Sequence, residues 1–575
     1  MERSRGSQLA DAVGLVAVAA TLAAGLVLRL QEPLSSPVIP AEDPFTHMAR
    51  LKAHLAAGSL EPTDPFGEEL YPPGMHALLA AVWAFTGEDL YTIVRFSPVV
   101  FGGLSILGTA LLLWHHAGRL AAFVGGLAVA LAPELVFRTT MMAPTAIDVA
   151  LLGFTVYALL AVVADLMGWV PPAALLTLYL VFSHPWLIGM LAAAGLVFGL
   201  LTLAVPWSAE EAPRPSARGL AAGLGVVGGA LALVLSTCAG LCGPGYQQVL
   251  PGGASLLLAA PVVLAATAIV GGLLWVRAAD PSAPIETGRR SLVVRLGVAA
   301  MLGGALAGLT WLALQRGFPE FVDLPRMLGW PLIGLGALGV VGAPLLAGPL
   351  TYTALGLGIA TYPLTIFPLL GSGFVSHRVV AYLGLAAALL AGGLVQGLAR
   401  GGALVGARGA RSRRWAGVSA GTLALTVAVA GVAAGTLAVT TPGPYDEGWY
   451  RLYEPCEMEG LQEVADRVGS HPRSVVVTGD WRPNTVLSAL VDPGPRVWVS
   501  DSFFVSASER RGIALELEAE DGSAYLLVDR HLRTEKPDVD LGFLDEEPWT
   551  ATGSWCGAEL GSRYQMTLYV HERTR

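Results

Sequence analysis

Residues Ala41 to Met75 read AEDPFTHMARLKAHLAAGSLEPTDPFGEELYPPGM, and this stretch decides how the rest of the chain is read. It is the first polar interval after an apolar N-terminal run, in a chain that is 54% hydrophobic and 14% charged. A soluble domain averages about 25% charged residues. The surroundings are therefore those of a bilayer protein, and a polar interval of this length needs a reason. It gathers Glu42, Asp43, Asp64, Glu68 and Glu69 beside His47, Arg50, Lys52 and His54, with His76 just beyond. Carboxylates beside a membrane bind divalent ions through hard oxygen ligands, or act as bases toward a hydroxyl or amide. On residue types alone the plainer reading is a solvated loop with a short amphipathic helix, Thr46 to Ala57.

Outward from this stretch the chain reads as polytopic. At roughly 17–25 apolar residues per crossing, hydropathy gives about thirteen spans. They lie near 10–30, 91–114, 119–137, 145–166, 169–183, 185–205, 218–239, 254–276, 291–313, 328–347, 349–370, 378–399 and 416–439. The first follows Arg3 and Arg5 but is long for a signal sequence. Arg29-Leu30-Gln31-Glu32 is also a poor cleavage site, so this run reads as a retained span. Glycine-rich runs in such helices mark close interfaces, and no strand precedes them to make a nucleotide loop. Arginine concentrates in 115–119, 207–218, 277–290 and 400–414, which puts those loops and the N-terminus in the cytoplasm. Loops 31–90, 133–144, 183–184, 240–253, 315–326 and 371–377 then face outward, as does everything after Thr440. No basic stripe with interleaved aromatics supports nucleic-acid binding.

After residue 440 the character changes, and most of the acidic excess behind the net charge of −9 lies there. Ser474–Thr478, Val497–Val499, Tyr525–Val528 and Tyr564–Val570 read as strands, and Gly460–Val468 as an amphipathic helix. Alternating helices and strands predict a small α/β domain. The expected division is a transmembrane domain over 1–440 and an extracytoplasmic domain over 441–575. Of the four cysteines, Cys238 and Cys242 fall at an external membrane edge, and Cys456 and Cys556 in the external domain. Disulfides persist outside the cytoplasm, so a Cys456–Cys556 clamp and a tight Cys238–Cys242 loop are expected. The spacing gives no zinc site.

The order of words in the opening stretch adds a resemblance. Asp43-Pro44-Phe45, then His47 and Arg50, a helix-like run, Asp64-Pro65 and Tyr71-Pro72-Pro73-Gly74 resemble the first external loop of the catalytic subunit of oligosaccharyltransferases. More widely, the chain is similar to the C-type (GT-C) membrane glycosyltransferases. The resemblance implies a polytopic α-helical GT-C-like enzyme with a small external α/β domain. It would move a sugar or glycan from a polyprenyl- or dolichyl-(pyro)phosphate carrier to an external acceptor, protein or glycan. It implies that Asp43 is catalytic or a metal ligand, with Glu42 as partner. Arg138-Thr139 and Asp148 match a second loop whose acids complete a divalent site for Mg or Mn, although Val149 and Ala150 stand where the family continues its acidic cluster. Arg378, with His377, matches a late-span arginine that holds the donor phosphate. A guanidinium suits this by making bidentate contacts and staying charged. His47, Tyr71, Arg138 and His184 are the remaining candidates for substrate contact.

Each has a plainer reading. Asp148 suits a helix N-terminus, Arg378 snorkels at a span end, and His184, beside Pro185, satisfies the carbonyls of a broken helix. Arg316, Glu320, Asp323 and Arg326 read as an acceptor contact or as a solvated loop. Two departures from the family count as well. The 315–326 loop is short, and the tail offers Gly479-Asp480-Trp481 rather than the Trp-Trp-Asp word, so recognition of a peptide sequon has no support. The rival class is a transporter or lipid flippase, which tends to show internal repeats and ionisable residues at the midplane. Here the acids gather at one face. A non-catalytic descendant of such an enzyme is the third reading.

Overall fold

The computed structural model describes residues 5–59, 72–184, 186–204, 216–240, 289–315, 319–346, 348–365, 377–405, 453–469, 474–491, 496–499, 503–504, 506–508, 510, 524–535, 539, 541–546, 549–560 and 565–571. Spans expected at 254–276 and 416–439 lie outside these residues, as do Tyr71 and Cys242 and the side chains of Cys238, His377 and Arg378. The described chain forms two compact units. One comprises Met1–Glu32, Glu69–Met75 and Phe96–Pro444; the other comprises Pro33–Glu68, His76–Arg95 and Tyr445–Arg575.

The first unit is helical. Its elements are α1 (Arg5–Ser35, whose last turn runs into the second unit), α4 (Leu90–His116, whose first turn begins there), α5 (Arg119–Leu131), α6 (Pro133–Arg138) and α7 (Pro144–Val163). After them come α8 (Val170–Ser183), α9 (Trp186–Ala204), α10 (Ala217–Gly240), α11 (Arg289–Gln315), α12 (Pro319–Leu328), α13 (Trp330–Leu346), α14 (Pro349–Thr365) and α15 (His377–Val405). Among the described residues five helical stretches are long and apolar enough to cross a membrane: Asp11–Ser35, Leu90–His116, Pro144–Val163, Val293–Leu312 and Val379–Leu398. Shorter apolar helices at Arg119–Leu131, Met167–Ser183, Leu187–Thr202, Arg218–Leu233 and Trp330–Pro344 fall on other expected intervals, whereas the apolar helix Gly74–Thr86 lies within the interval expected to be an external loop. Leu296, Met301 and Trp311 of α11 are 50%, 65% and 65% exposed, a face that suits hydrocarbon rather than water.

The expected span at 119–137 is broken. Pro133 has no N–H to continue α5, Ala132 turns extended (ψ 124), and α6 restarts from the Pro133 ring. At the centre of the unit, α15 packs against α5, α6, α7, α13 and α14. Glycine permits two of the closest approaches. A Cβ on Gly392 would stand 2.8 Å from the Ala121 carbonyl oxygen, and one on Gly356 would stand 2.5 Å from that of Ala194. Small residues here let helix backbones meet, as the glycine-rich runs imply.

In the second unit α2 (Asp43–Ala57) and α3 (Gly74–Thr86, whose first two residues belong to the first unit) precede a tail with α16 (Pro455–Gly469), β1 (Val475–Thr478), α17 (Trp481–Leu490), β2 (Arg496–Val499), β3 (Ala524–Val528), α18 (Arg530–Glu535), β4 (Trp549–Trp555) and β5 (Met566–His571). The sheet order is β2-β1-β3-β5-β4, parallel from β2 to β3 and antiparallel from β3 to β4. The four expected strands are present. The fifth, β4, is a half-exposed edge of Thr, Ala, Gly and Ser between two tryptophans, without the apolar run that marks a strand. Helix α16 starts earlier than expected, at Pro455, because the Glu457 carboxylate accepts the Glu454 N–H at 2.8 Å. The Cys456–Cys556 disulfide is formed across 100 residues of sequence. A loop of that length stabilises by about 4–5 kcal/mol on the chain-entropy account.

Helix α2 begins at Asp43 rather than Thr46, since Pro44 presets the first turn, and it ends on Gly58 in the left-handed conformation (φ 60). It is no solvated helix: Phe45, Met48 and Leu51 are buried, and it packs on α17. Lys52 Nζ donates to the Leu490 carbonyl at 3.0 Å.

Candidate active site

The opening acids stand at a strained backbone position. Ala41 is buried with φ 64, a left-handed conformation that a residue with a Cβ adopts at a cost of roughly 1 kcal/mol. It turns the chain so that Glu42 and Asp43 open α2. The Glu42 Oε1 accepts the Thr485 hydroxyl at 3.4 Å. Burial first, and then the neighbouring Asp43 charge, push the Glu42 carboxyl up to about 8.

Thr485 belongs to α17, which starts where β1 ends. Asp480 caps that helix, its side chain accepting the Arg482 N–H at 3.0 Å. Arg482 reaches the Nδ1 of His531, with Asp480 3.6 Å away. From the end of β3, Asp529 accepts the Leu532 N–H at 2.9 Å and the Tyr453 hydroxyl at 3.5 Å. Burial raises the Asp529 and Tyr453 pKa values. β1 and β3 are adjacent, and the crossover from β1 leads away to β2 on its other side. These side chains thus occupy the carboxyl ends of strands at a topological switch point, where open α/β sheets place ligands. Asp480, Arg482, Thr485, Asp529 and His531 were not candidates from sequence; a Gly-Asp word directly after a β-branched strand was the available signal.

His47 is also buried, and its Nδ1 lies 3.2 Å from Nε2 of His76. His54 also lies against His76, with ring centroids 5.1 Å apart and the rings tilted by 31°. Burial, and then the charges of His54 and Arg50, lower the His76 imidazole to about 3.

In the helical unit Asp148 is fully buried near the start of α7. Its carboxylate accepts Ser183 Oγ at 3.1 Å on one oxygen, and His184 Nδ1 at 2.5 Å and the Tyr382 hydroxyl at 2.7 Å on the other. Asp148 and His184, two candidates from separate loops, therefore form one group. His184 also caps α8, its N–H meeting the Leu180 carbonyl at 2.9 Å. Arg138 is buried on α6 with Nε 2.7 Å from Glu134. Next to it, Thr139 accepts Nε of Arg29 at 2.6 Å, while the same guanidinium donates to the carbonyls of Gly25 and Ala130 at 3.0 Å and Val129 at 3.1 Å. His377 and Arg378 open α15.

For a divalent ion the donors divide. Glu42 and Asp43 offer two adjacent carboxylates whose repulsion a cation would relieve, whereas the Asp148 oxygens are met by three hydrogen-bond donors. Among the described residues no group of three or more His, Cys, Asp or Glu is gathered to hold a metal. The described donors by themselves do not complete a cation site.

The raised Glu42 carboxyl has a direct consequence. A group whose folded pKa exceeds its unfolded value contributes most below the unfolded value, and the contribution fades as pH rises through the folded one. Between pH 4.5 and about 8 the native state keeps a proton that the unfolded chain releases, so Glu42 lowers stability as pH rises. Glu42→Gln should flatten the pH dependence of unfolding across that window. An unchanged slope in denaturant titrations at pH 5 and pH 8 would show that Glu42 titrates normally.

No protein-family model matches the chain, and no curated protein matches its sequence. Solved structures do match. The chain is similar to the archaeal oligosaccharyltransferase AglB from Archaeoglobus fulgidus in complex with an inhibitory peptide and a dolichol-phosphate, with TM-score 0.60 and 14% identity over 97% of this chain and 74% of that one. It is similar to the same organism's oligosaccharyltransferase tethered to an acceptor peptide containing the NVT sequon (TM-score 0.59, 14% identity, 97% and 74% covered). It also matches that protein's complex with zinc and sulfate (0.58, 15%, 90% and 68%). The fold is thus that of the GT-C membrane glycosyltransferases. Within that class, the chain shares the architecture of the archaeal oligosaccharyltransferase over nearly its whole length.

Proposed function

We propose that the protein is a membrane glycosyltransferase that moves a sugar or glycan from a polyprenyl-(pyro)phosphate carrier to an external acceptor. The observation that carries this reading is the Glu42–Asp43 pair, fixed by the Ala41 turn at the first turn of α2 and hydrogen-bonded through Glu42 to Thr485. The fold and the order of words in the first loop agree with it. In the reaction, a lone pair on the acceptor oxygen or nitrogen attacks the anomeric carbon. The carbon–oxygen bond to phosphate breaks, and the lipid (pyro)phosphate leaves with that electron pair. Asp43 takes or polarises the acceptor proton, and Glu42 holds its own proton beside it. Asp148 is the second carboxylate of the reaction, and Arg378 with His377 holds the departing phosphate through charge-assisted hydrogen bonds. His47, Tyr71 and Arg138 are the proposed substrate contacts, while the fourth candidate, His184, is turned to the Asp148 carboxylate.

The neighbours solved with dolichol-phosphate and with zinc and sulfate support a polyprenyl carrier and a divalent ion, Mg or Mn, for which the resemblance implies Asp43 and Asp148 as ligands. An acceptor peptide was bound in another neighbour. Without the Trp-Trp-Asp word, the acceptor class of this chain is left as an external protein or glycan. We further propose that the membrane domain runs to residue 440, that the N-terminus is cytoplasmic and that residues 441–575 face outward. Reporter fusions after Thr440 should read external and fusions within 400–414 cytoplasmic; the reverse pattern would remove the external site. The reaction itself is tested by transfer of a labelled sugar from extracted lipid-linked donors by the purified chain.

A further inference from the structure

The structure shows how Asp148 is held, and the holding groups come from two other helices. Ser183 and His184 lie at the end of α8, Tyr382 on α15 and Asp148 on α7. Two donors converge on one carboxylate oxygen and one on the other, which fixes the plane of the carboxylate as well as its place. The delivering turn is itself constrained. His184 precedes Pro185, which disfavours continuing the α8 helix, and its backbone leaves helical values (φ −156, ψ 82).

Gly74, the glycine of Tyr71-Pro72-Pro73-Gly74, lies directly on this turn. A Cβ at Gly74 would stand 2.7 Å from the Phe182 carbonyl carbon and oxygen and 2.8 Å from the Ser183 nitrogen. These are backbone atoms, so an added side chain is accommodated only by moving the turn. The Gly74 carbonyl also accepts the Tyr179 hydroxyl at 3.2 Å, one turn of α8 earlier.

We infer that Gly74 and His184 are positioning residues that act through the 182–184 turn and, with Tyr382, set the orientation of the Asp148 carboxylate. The inference rests on the proposed transfer reaction for its catalytic meaning, but the geometry is testable without it. The glycine of the loop word is thus needed for contact with a turn distant in sequence, in addition to any part in starting α3. His184 serves through Nδ1, so the shape of its replacement matters. An asparagine amide nitrogen occupies the Nδ1 position, whereas the glutamine amide nitrogen reaches toward Nε2.

The test places 3-fluorotyrosine at position 382 of the full chain in lipid nanodiscs and records its fluorine resonance. Asp148→Asn, His184→Ala and Gly74→Ala should each shift the resonance. His184→Asn should return it toward the wild-type position, His184→Gln should not, and Leu175→Ala, on the exposed face of α8, should leave it unmoved. If Gly74→Ala fails to insert, the two His184 variants still decide. A resonance indifferent to His184→Ala, or restored equally by Gln and Asn, would overturn the inference. Transfer from extracted lipid-linked sugar is measured in parallel. His184→Ala should lower kcat by about 100-fold, the scale of a small misplacement at a reacting group, with KM nearly unchanged and with rescue by Asn. A wild-type protein that shows the fluorine pattern but no transfer would remove the proposed reaction and leave the positioning intact.

Discussion

Asp43→Asn is expected to lower sugar transfer by about 10²–10⁴-fold, the range over which general bases contribute. The change is nearly isosteric and leaves the Pro44 start of α2 in place. Loss of the first-turn charge costs a few tenths to about 1 kcal/mol of helix-dipole stabilisation. The variant should therefore insert and unfold much like the wild type while failing in chemistry. EDTA treatment of the wild type tests the divalent ion separately, and a loss reversed by Mn or Mg would support it. If Asp43→Asn retained full transfer, the base would have to be another group. If EDTA had no effect, the metal would leave the account while Asp43 kept its role.

Arg29→Met should be the most destabilising single change in the helical unit. Its guanidinium is fully buried and donates to Val129 and Ala130, two of the last carbonyls of α5, as well as to Gly25 and Thr139. Helix ends leave four carbonyls without intrahelical partners. Each buried acceptor left unsatisfied costs about 1–3 kcal/mol, so the loss should reach roughly 3 kcal/mol or more. Methionine keeps the volume, which isolates the hydrogen bonds from packing. Arg29→Lys should recover only part, since an ammonium cannot reproduce the planar fork. Unfolding curves in nanodiscs or mixed micelles that matched the wild type for Arg29→Met would contradict this assignment.

What was readable in the sequence follows from what is local. Apolar runs of span length marked the five crossing-length helices among the described residues but missed the apolar helix Gly74–Thr86, β-branched runs marked four of the five strands, and the location of Cys456 and Cys556 pointed to their pairing. The unread features depend on distant partners or on weak local signals. His184 and Tyr382 meet Asp148 from 36 and 234 residues away, so no spacing rule shows that the lone histidine beside a proline is a carboxylate partner. Arg29 stood out only as part of a poor cleavage site, yet its guanidinium donates to the last carbonyls of α5. Asp480 looked like a failed match to a family word, whereas it caps α17 at a switch point in the sheet. Pro133 was visible but lay inside an apolar run long enough to hide the break. The role of Gly74 required the backbone of α8, which the loop sequence does not contain.

The central claim is bond-breaking transfer at the outer face, and its rival is movement of intact lipid. The direct measurement incubates the purified chain, in sealed vesicles, with radiolabelled lipid-linked sugar extracted from host membranes and an extract of external acceptors. The account predicts that label leaves the lipid fraction and appears on a water-soluble acceptor, with one free polyprenyl (pyro)phosphate formed per sugar moved, and that Asp43→Asn prevents both. Label that crosses the bilayer while still attached to its lipid, at the same rate in wild type and Asp43→Asn, would contradict it and make the protein a flippase.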